Sequence, residues 1–126
     1  MNTQEIWNCE TPVNELLGDV TPSWIDRDIC PMTIASICNG GCASGAYMPA
    51  VTYYRANDTM AEHGDEVLDY IHNTLGELPE PPHFESWKGR ACFYLSLAVE
   101  LWAGNIMGQL ENLEIDDFLR PQHILS

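Results

Sequence analysis

This sequence predicts an all-α fold, on three observations. Apolar residues recur at the 3.6-residue period at Trp87, Ala91, Leu95, Ala98, Trp102, Ile106, Leu110 and Leu113. Proline and glycine repeatedly bracket the helix-period segments. Alternating runs of the kind that make strands are nearly absent, VTYY (51–54) being the one short candidate. The expected architecture is a compact helical domain over 1–126, with one long central amphipathic helix (about 87–113) and shorter helices packed around it.

Residues 1–20 and 118–126 are expected to be loosely ordered. Thr21 followed by Pro22 fits an N-cap and first helical residue, with Trp24, Ile25 and Ile29 behind them. Pro31 opens a second short helix with Ile34 and Ile37 turned inward, and Asn39-Gly40-Gly41 stop it. The stretch CNGGCASGAYM, Cys38 to Met48, is rich in small residues and reads as irregular. Pro49 starts a helix carrying Val51, Tyr53, Tyr54 and Met60 until Gly64 ends it. Asp65 caps the next, whose Val67, Leu68, Ile71 and Leu75 share one face before Gly76. LPEPPH, Leu78 to His83, is a connector, because proline cannot occupy a helix interior. Ser86 then caps the long helix.

Charge narrows the function classes. The 126 residues include 5 Lys+Arg and 19 Asp+Glu, a formal net charge of −14. A surface of that sign repels DNA, RNA and anionic membranes, so direct binding to any of them is not expected. Hydrophobic residues make up 45% and aromatics 10%, which is too apolar for a disordered chain. The N-terminus lacks the basic n-region and continuous apolar h-region of a secretory signal. The 5 cysteines are therefore expected to be cytosolic thiols, at least one of them outside any intramolecular disulfide scheme. Ala91 to Met107 is largely apolar, but it holds Glu100 and Asn105 and has no basic anchor after it. A buried core helix is expected there rather than a membrane span.

Motifs that carry chemistry are tested against the same residues. Cys30, Cys38 and Cys42, with His63 or His72, would supply four zinc-ligating groups. The usual zinc turns are two Cys-x-x-Cys pairs, whereas this chain has one Cys-x-x-x-Cys and no second pair, so core thiols and no metal are expected. Cys92, beside the long stripe, reads as packing. Glu62-His63, Asp65-Glu66 and His72 do not follow the His-Glu-x-x-His order. Cys38 or Cys42 paired with His63 lacks the local signature of a cysteine hydrolase. Gly40-Gly41 and Gly45 match neither a Walker loop nor a dinucleotide fingerprint. No enzymatic activity and no cofactor are expected. Gly104 and Gly108 form a Gly-x-x-x-Gly pair on the long helix, which points to a close backbone approach there, within the fold or at the seam of a homodimer.

The pattern of acids is more informative. Between Arg55 and Lys88 lie Asp58, Glu62, Asp65, Glu66, Asp69, Glu77, Glu80 and Glu85 with no base among them. Between Arg90 and Arg120 lie Glu100, Glu111, Glu114, Asp116 and Asp117, again with no base. Two readings follow. One is a solvated, solubilising helix face. The other is a surface that presents carboxylates where a nucleic-acid-binding protein expects phosphates.

The segments CNGGCASGAYMPAVTYY, MAEHGDEVLDYI and FYLSLAVELWAGNI resemble a family of small acidic proteins encoded by tailed bacteriophages and prophages, over roughly Trp24 to Leu110. That family has no assigned activity, so the resemblance transfers no catalytic residue. It implies a setting in which small, often acidic accessory proteins disable host machinery such as CRISPR and restriction complexes. Together with the charge pattern, it leads to the expectation of a non-enzymatic inhibitor in the host cytoplasm. Its partner would be a host protein or ribonucleoprotein complex that handles nucleic acid. The contact residues would be Asp58, Glu62, Asp65, Glu66 and Asp69, backed by Glu111, Glu114, Asp116 and Asp117. Two alternatives stand beside it: a phage regulatory or structural adaptor working through apolar and aromatic surface, and a small metalloprotein built on Cys30, Cys38, Cys42 and a histidine.

Overall fold

The computed structural model describes residues 6–41, 53–80 and 87–125, with side chains throughout except at 40–41, 53–55, 87–88 and 114–125. The helices are α1 (Val13–Leu17), α2 (Pro31–Ser36), α3 (Tyr53–Leu75) and α4 (Trp87–Leu125), with a π-helical turn over Ile37–Gly41 directly after α2. No strand occurs among the described residues. The chain is all-α.

α4 is the spine. Of the predicted stripe, Ala91, Leu95, Ala98, Trp102, Ile106 and Leu110 are each no more than 4% exposed, Leu113 is half-buried, and the Trp87 side chain lies outside the described residues. Val99 and Ala103 are buried beside them, so the covered side is broader than a single row. Gly89–Leu113 is long and apolar enough to cross a membrane by length and composition. One side of that span, Ala91, Leu95, Ala98, Val99, Trp102, Ala103, Ile106 and Leu110, is buried in the core, which it shares with Val67 and Ile71 of α3 and Ile34 of α2. α4 also continues past the expected end at Leu113 to Leu125: residues 114–120 contain no glycine or proline, and the run passes Pro121.

α3 packs along α4 in the most extensive helix contact of the molecule. The two helices expected to meet at Gly64 and Asp65 are present as two helical segments within Tyr53–Leu75, which join at a kink at His63, whose φ of −125° and ψ of 15° leave the helical range. The junction falls one residue before Gly64, which weakens the helix there. Gly76 ends α3 as predicted: its φ of 81° is a left-handed conformation that glycine alone adopts without strain, and its N–H returns to the His72 carbonyl at 2.8 Å. The Pro49 helix start lies outside the described residues, as does the Ser86 cap. Tyr94 closes the connector onto the spine, its hydroxyl donating to the Pro79 carbonyl at 3.1 Å.

The N-terminal third departs furthest from expectation. Residues 6–20 are not loosely attached: Ile6 and Val13 are fully buried, and Val13 opens α1. No helix follows Pro22. The chain makes two successive turns, closed by Ile25 N–H to Pro22 O at 3.1 Å and Ile29 N–H to Asp26 O at 3.2 Å. Thr21 does not act as a helix cap, because its Oγ1 accepts a 2.8 Å hydrogen bond from Asn14 Nδ2. Asn14 Oδ1 meanwhile accepts from the backbone N–H groups of Val20 and Thr21, at 2.9 and 3.2 Å. One amide side chain thus organises the loop, and Trp24, Ile25 and Ile29 reach the core from turns. α2 runs as predicted, with Ile34 and Ile37 inward. The irregular stretch expected from Cys38 is π-helical as far as Gly41, and 42–48 lie outside the described residues.

The Gly104–Gly108 expectation is corrected within the fold. Both glycines are exposed, and a Cβ at either position would meet nothing within 4 Å. Among the described residues no backbone approaches them.

Two stability outcomes follow. Trp102 is 4% exposed, and its indole N–H donates to the Val20 carbonyl at 3.2 Å. Trp102→Ala should therefore cost about 3–5 kcal/mol. Trp102→Phe, which keeps a ring but strands that carbonyl, should cost about 1–3 kcal/mol; urea unfolding measures both. Gly104→Ala and Gly108→Ala should each stabilise the folded chain by about 0.5–1 kcal/mol, the helix-propensity difference at an open site. A loss of stability in the same urea titration would mean that a partner backbone occupies that side.

Candidate functional site

The functional candidates lie on α3, whose amphipathicity places them. At 3.6 residues per turn, Ala56, Met60, Val67 and Ile71 fall on one side of the helix. Ala56, Val67 and Ile71 are fully buried and Met60 packs against the same cluster. Asp58, Glu62, Asp65, Glu66 and Asp69 fall on the other side, and all five are exposed. The predicted acids of this segment therefore share one solvent-facing surface, two before the bend at His63 and three after it.

The bend adds local structure. His63 is half-buried, with Nε2 3.4 Å from Glu62 Oε2 and Nδ1 3.8 Å from Glu66 Oε1. Glu66 is also held from the other side, because the Ser23 hydroxyl donates to its Oε2. That bond ties the turn after Pro22 to α3. Trp24 packs edge-on to Tyr70 at 5.4 Å, next to the same junction. Burial pushes the Tyr70 phenol above its usual range, only partly offset by its hydrogen bond with Thr74. Between turn and helix lies a cleft of about 390 Å³, with Asp26, Asp58 and Glu62 around it, Ser23 and His63 at its sides and Trp24 in its wall. No lysine or arginine lines it.

The acids differ in what surrounds them. Asp65 shares a second pocket, about 310 Å³, with Arg90 of α4. Glu66 has the internal partners just described. Asp58, Glu62 and Asp69 are the more open members. Glu111 is not part of this surface. It lies 20 residues, about 30 Å of helix, beyond Ala91, the α4 residue that lines the Asp65 pocket. Glu111 instead faces the turn after α2: burial raises the Cys38 thiol, and the negative charge of Glu111 raises it further. The side chains of Glu114, Asp116 and Asp117 lie outside the described residues, although α4 carries their backbone.

The thiols are not the uniform core set expected. Cys30 is buried, Cys92 half-buried, and Cys9 and Cys38 are exposed. Cys42 lies outside the described residues. His72 is exposed in the last turn of α3. Among the described residues no three His, Cys, Asp or Glu side chains converge in a way that could hold a metal ion.

Sequence spacing found the α3 acids because helical periodicity is local. It missed the Ser23–Glu66 tie and the cleft, which join positions more than 40 residues apart and carry no local signal. Comparison with protein-family models, with curated proteins and with solved structures gives no match.

Proposed function

We propose that this protein acts by binding: it is an acidic inhibitor, of phage origin, that occupies the nucleic-acid site of a host defence protein or ribonucleoprotein of anti-CRISPR or anti-restriction type. The observation that carries this reading is the spacing of charge on α3. From Asp58 to Asp69 five exposed carboxylates are spread over about 16 Å of helix, a mean interval of about 4 Å, on both sides of the kink at His63. One strand of B-DNA carries a phosphate about every 3.4 Å along its axis. A groove built to track one phosphate backbone would meet a similar density of negative charge here. A net charge of −14 would add long-range steering toward such a groove. The family resemblance supplies the phage setting.

A second reading, an adaptor docking through apolar contacts, rests on Leu75 and Leu78, which are 44% and 40% exposed at the C-terminal end of α3. Ionic strength separates the two, since charge steering is screened over about 10 Å at 0.1 M salt and apolar docking is not.

The test reverses charge while sparing Glu66, whose tie to Ser23 supports the fold. Asp58→Lys, Glu62→Lys, Asp65→Lys and Asp69→Lys combined should leave the helical circular dichroism unchanged. A partner is first captured from host lysate with the wild-type chain. Its association with the quadruple variant at low salt should be at least about tenfold slower, and the variant should no longer compete with the partner's DNA or RNA. Unchanged competition would remove this face from the mechanism. A parallel loss with Leu75→Ser and Leu78→Ser at all salt concentrations would establish the adaptor reading instead.

A further inference from the structure

α3 and α4 leave a pocket of about 310 Å³ between them. On α3 it is lined by Met60, Gly64 and Leu68, which stand four residues apart and so form one row along the helix. Ala91 and Tyr94 line it from α4. Met60 and Tyr94 pack against the core cluster and Ala91 is 3% exposed, so the packing that joins the two helices also fixes the walls. The Tyr94 hydroxyl is engaged by the Pro79 carbonyl, which leaves the ring as its contribution to the lining. Gly64 keeps the row open: a Cβ there would meet only Met60 Cε, at 3.9 Å. Asp65 and Arg90 complete the lining. Both are exposed, and among the described residues neither takes part in an ion pair. The pocket thus offers an apolar floor, one carboxylate and one guanidinium, with each charge open to a ligand.

We propose that this pocket binds a free α-amino acid with an apolar side chain, of which leucine is the type. The ammonium group goes to Asp65, the carboxylate to Arg90, and the side chain to Met60, Leu68 and Tyr94. No bond is made or broken. The site is separate from the acidic surface read above as partner-binding, except that Asp65 belongs to both.

Size and charge select this class of ligand. Small-molecule sites are mostly apolar clefts of about 300 Å³ and upward, with a few polar groups that fix orientation. This pocket has that make-up and lies at the small end, which suits a ligand of amino-acid size. The chain carries a net charge of −14, so a ligand of net negative charge is repelled at long range. A purely cationic ligand would be set against Arg90. A zwitterion has no net charge and answers both groups, its carboxylate meeting a guanidinium whose paired N–H donors match it. Ion pairs at exposed positions are individually weak. Apolar contact with the floor must therefore supply part of the affinity, which calls for an apolar side chain on the ligand. The cleft beside His63 does not qualify, because no lysine or arginine lines it.

The experiment is equilibrium dialysis of the full chain against labelled ligands at low salt. L-leucine should bind saturably with a dissociation constant on the order of 1 mM, as fits a small ligand in an open pocket. N-acetyl-L-leucine lacks the ammonium charge and L-leucinamide lacks the carboxylate; each should bind about fivefold more weakly. Glycine, without the side chain, should not bind measurably. Each charge should also be traceable to its partner. Arg90→Gln should lower leucine binding to the level of leucinamide and leave leucinamide unchanged. Asp65→Asn should lower it to the level of N-acetyl-leucine and leave that ligand unchanged. Gly64→Leu, which fills the pocket from a helical position, should abolish binding with the helical circular dichroism retained; the two charge variants, at exposed positions, decide the matter if it loses helicity. No saturation below about 20 mM leucine would overturn the proposal. Binding of N-acetyl-L-leucinamide as tight as that of leucine would also overturn it, and would make the pocket a seat for an uncharged apolar side chain of a partner protein. These measurements use no partner, so their failure leaves the inhibitor reading untouched.

Discussion

The longest helix carries an apolar side from Ala91 to Leu110 that cannot stand in water by itself, since most helical stability in proteins comes from covering such a side. The rest of the molecule is arranged by that need. α3 covers the region around Ala91 and Tyr94. The N-terminal third reaches the spine through Val20, whose carbonyl receives the Trp102 indole N–H. Ile34 and Ile37 of the α2 segment join the same cluster. Three stretches of chain with little regular structure in common are thereby drawn onto one element. The Trp102–Val20 hydrogen bond gives the contact its register: a hydrophobic surface is tolerant of sliding, but a buried indole N–H is satisfied in only one position.

The same requirement explains the surface. Once α3 commits Ala56, Val67 and Ile71 to the core, the positions in between must face solvent, and the chain fills them with acids. Nothing in the packing demands acids over lysines there, and like charges along one face repel. The choice therefore carries information that the fold does not, and it is what the proposed binding role draws on. The fold modifies that surface in one respect. The bend at His63 and the Ser23–Glu66 bond divide the acids into a pair bordering a cleft and a group along the helix. Glu66 is thereby partly committed to structure.

The corrections share a cause. Thr21-Pro22 has the local form of a helix start, yet Asn14, seven residues earlier, takes the threonine hydroxyl, and turns result. Gly104 and Gly108 have the local form of a close contact, yet they face open space. In each case a short-range preference of about 1 kcal/mol met a longer-range interaction at least as large, or found no partner.

The sequence by itself determined the helical class, the buried stripe of α4, the stop at Gly76 and the acids of α3. All of these follow from periodicity and residue propensities that act within a few turns. Only the tertiary structure decided that Ile6 and Val13 belong to the core, that Glu111 stands apart from the α3 acids, and that Cys9 lies against Met32. Those outcomes depend on how chain segments tens of residues apart cover one apolar side. That is a property of the assembled surface, and no local spacing encodes it.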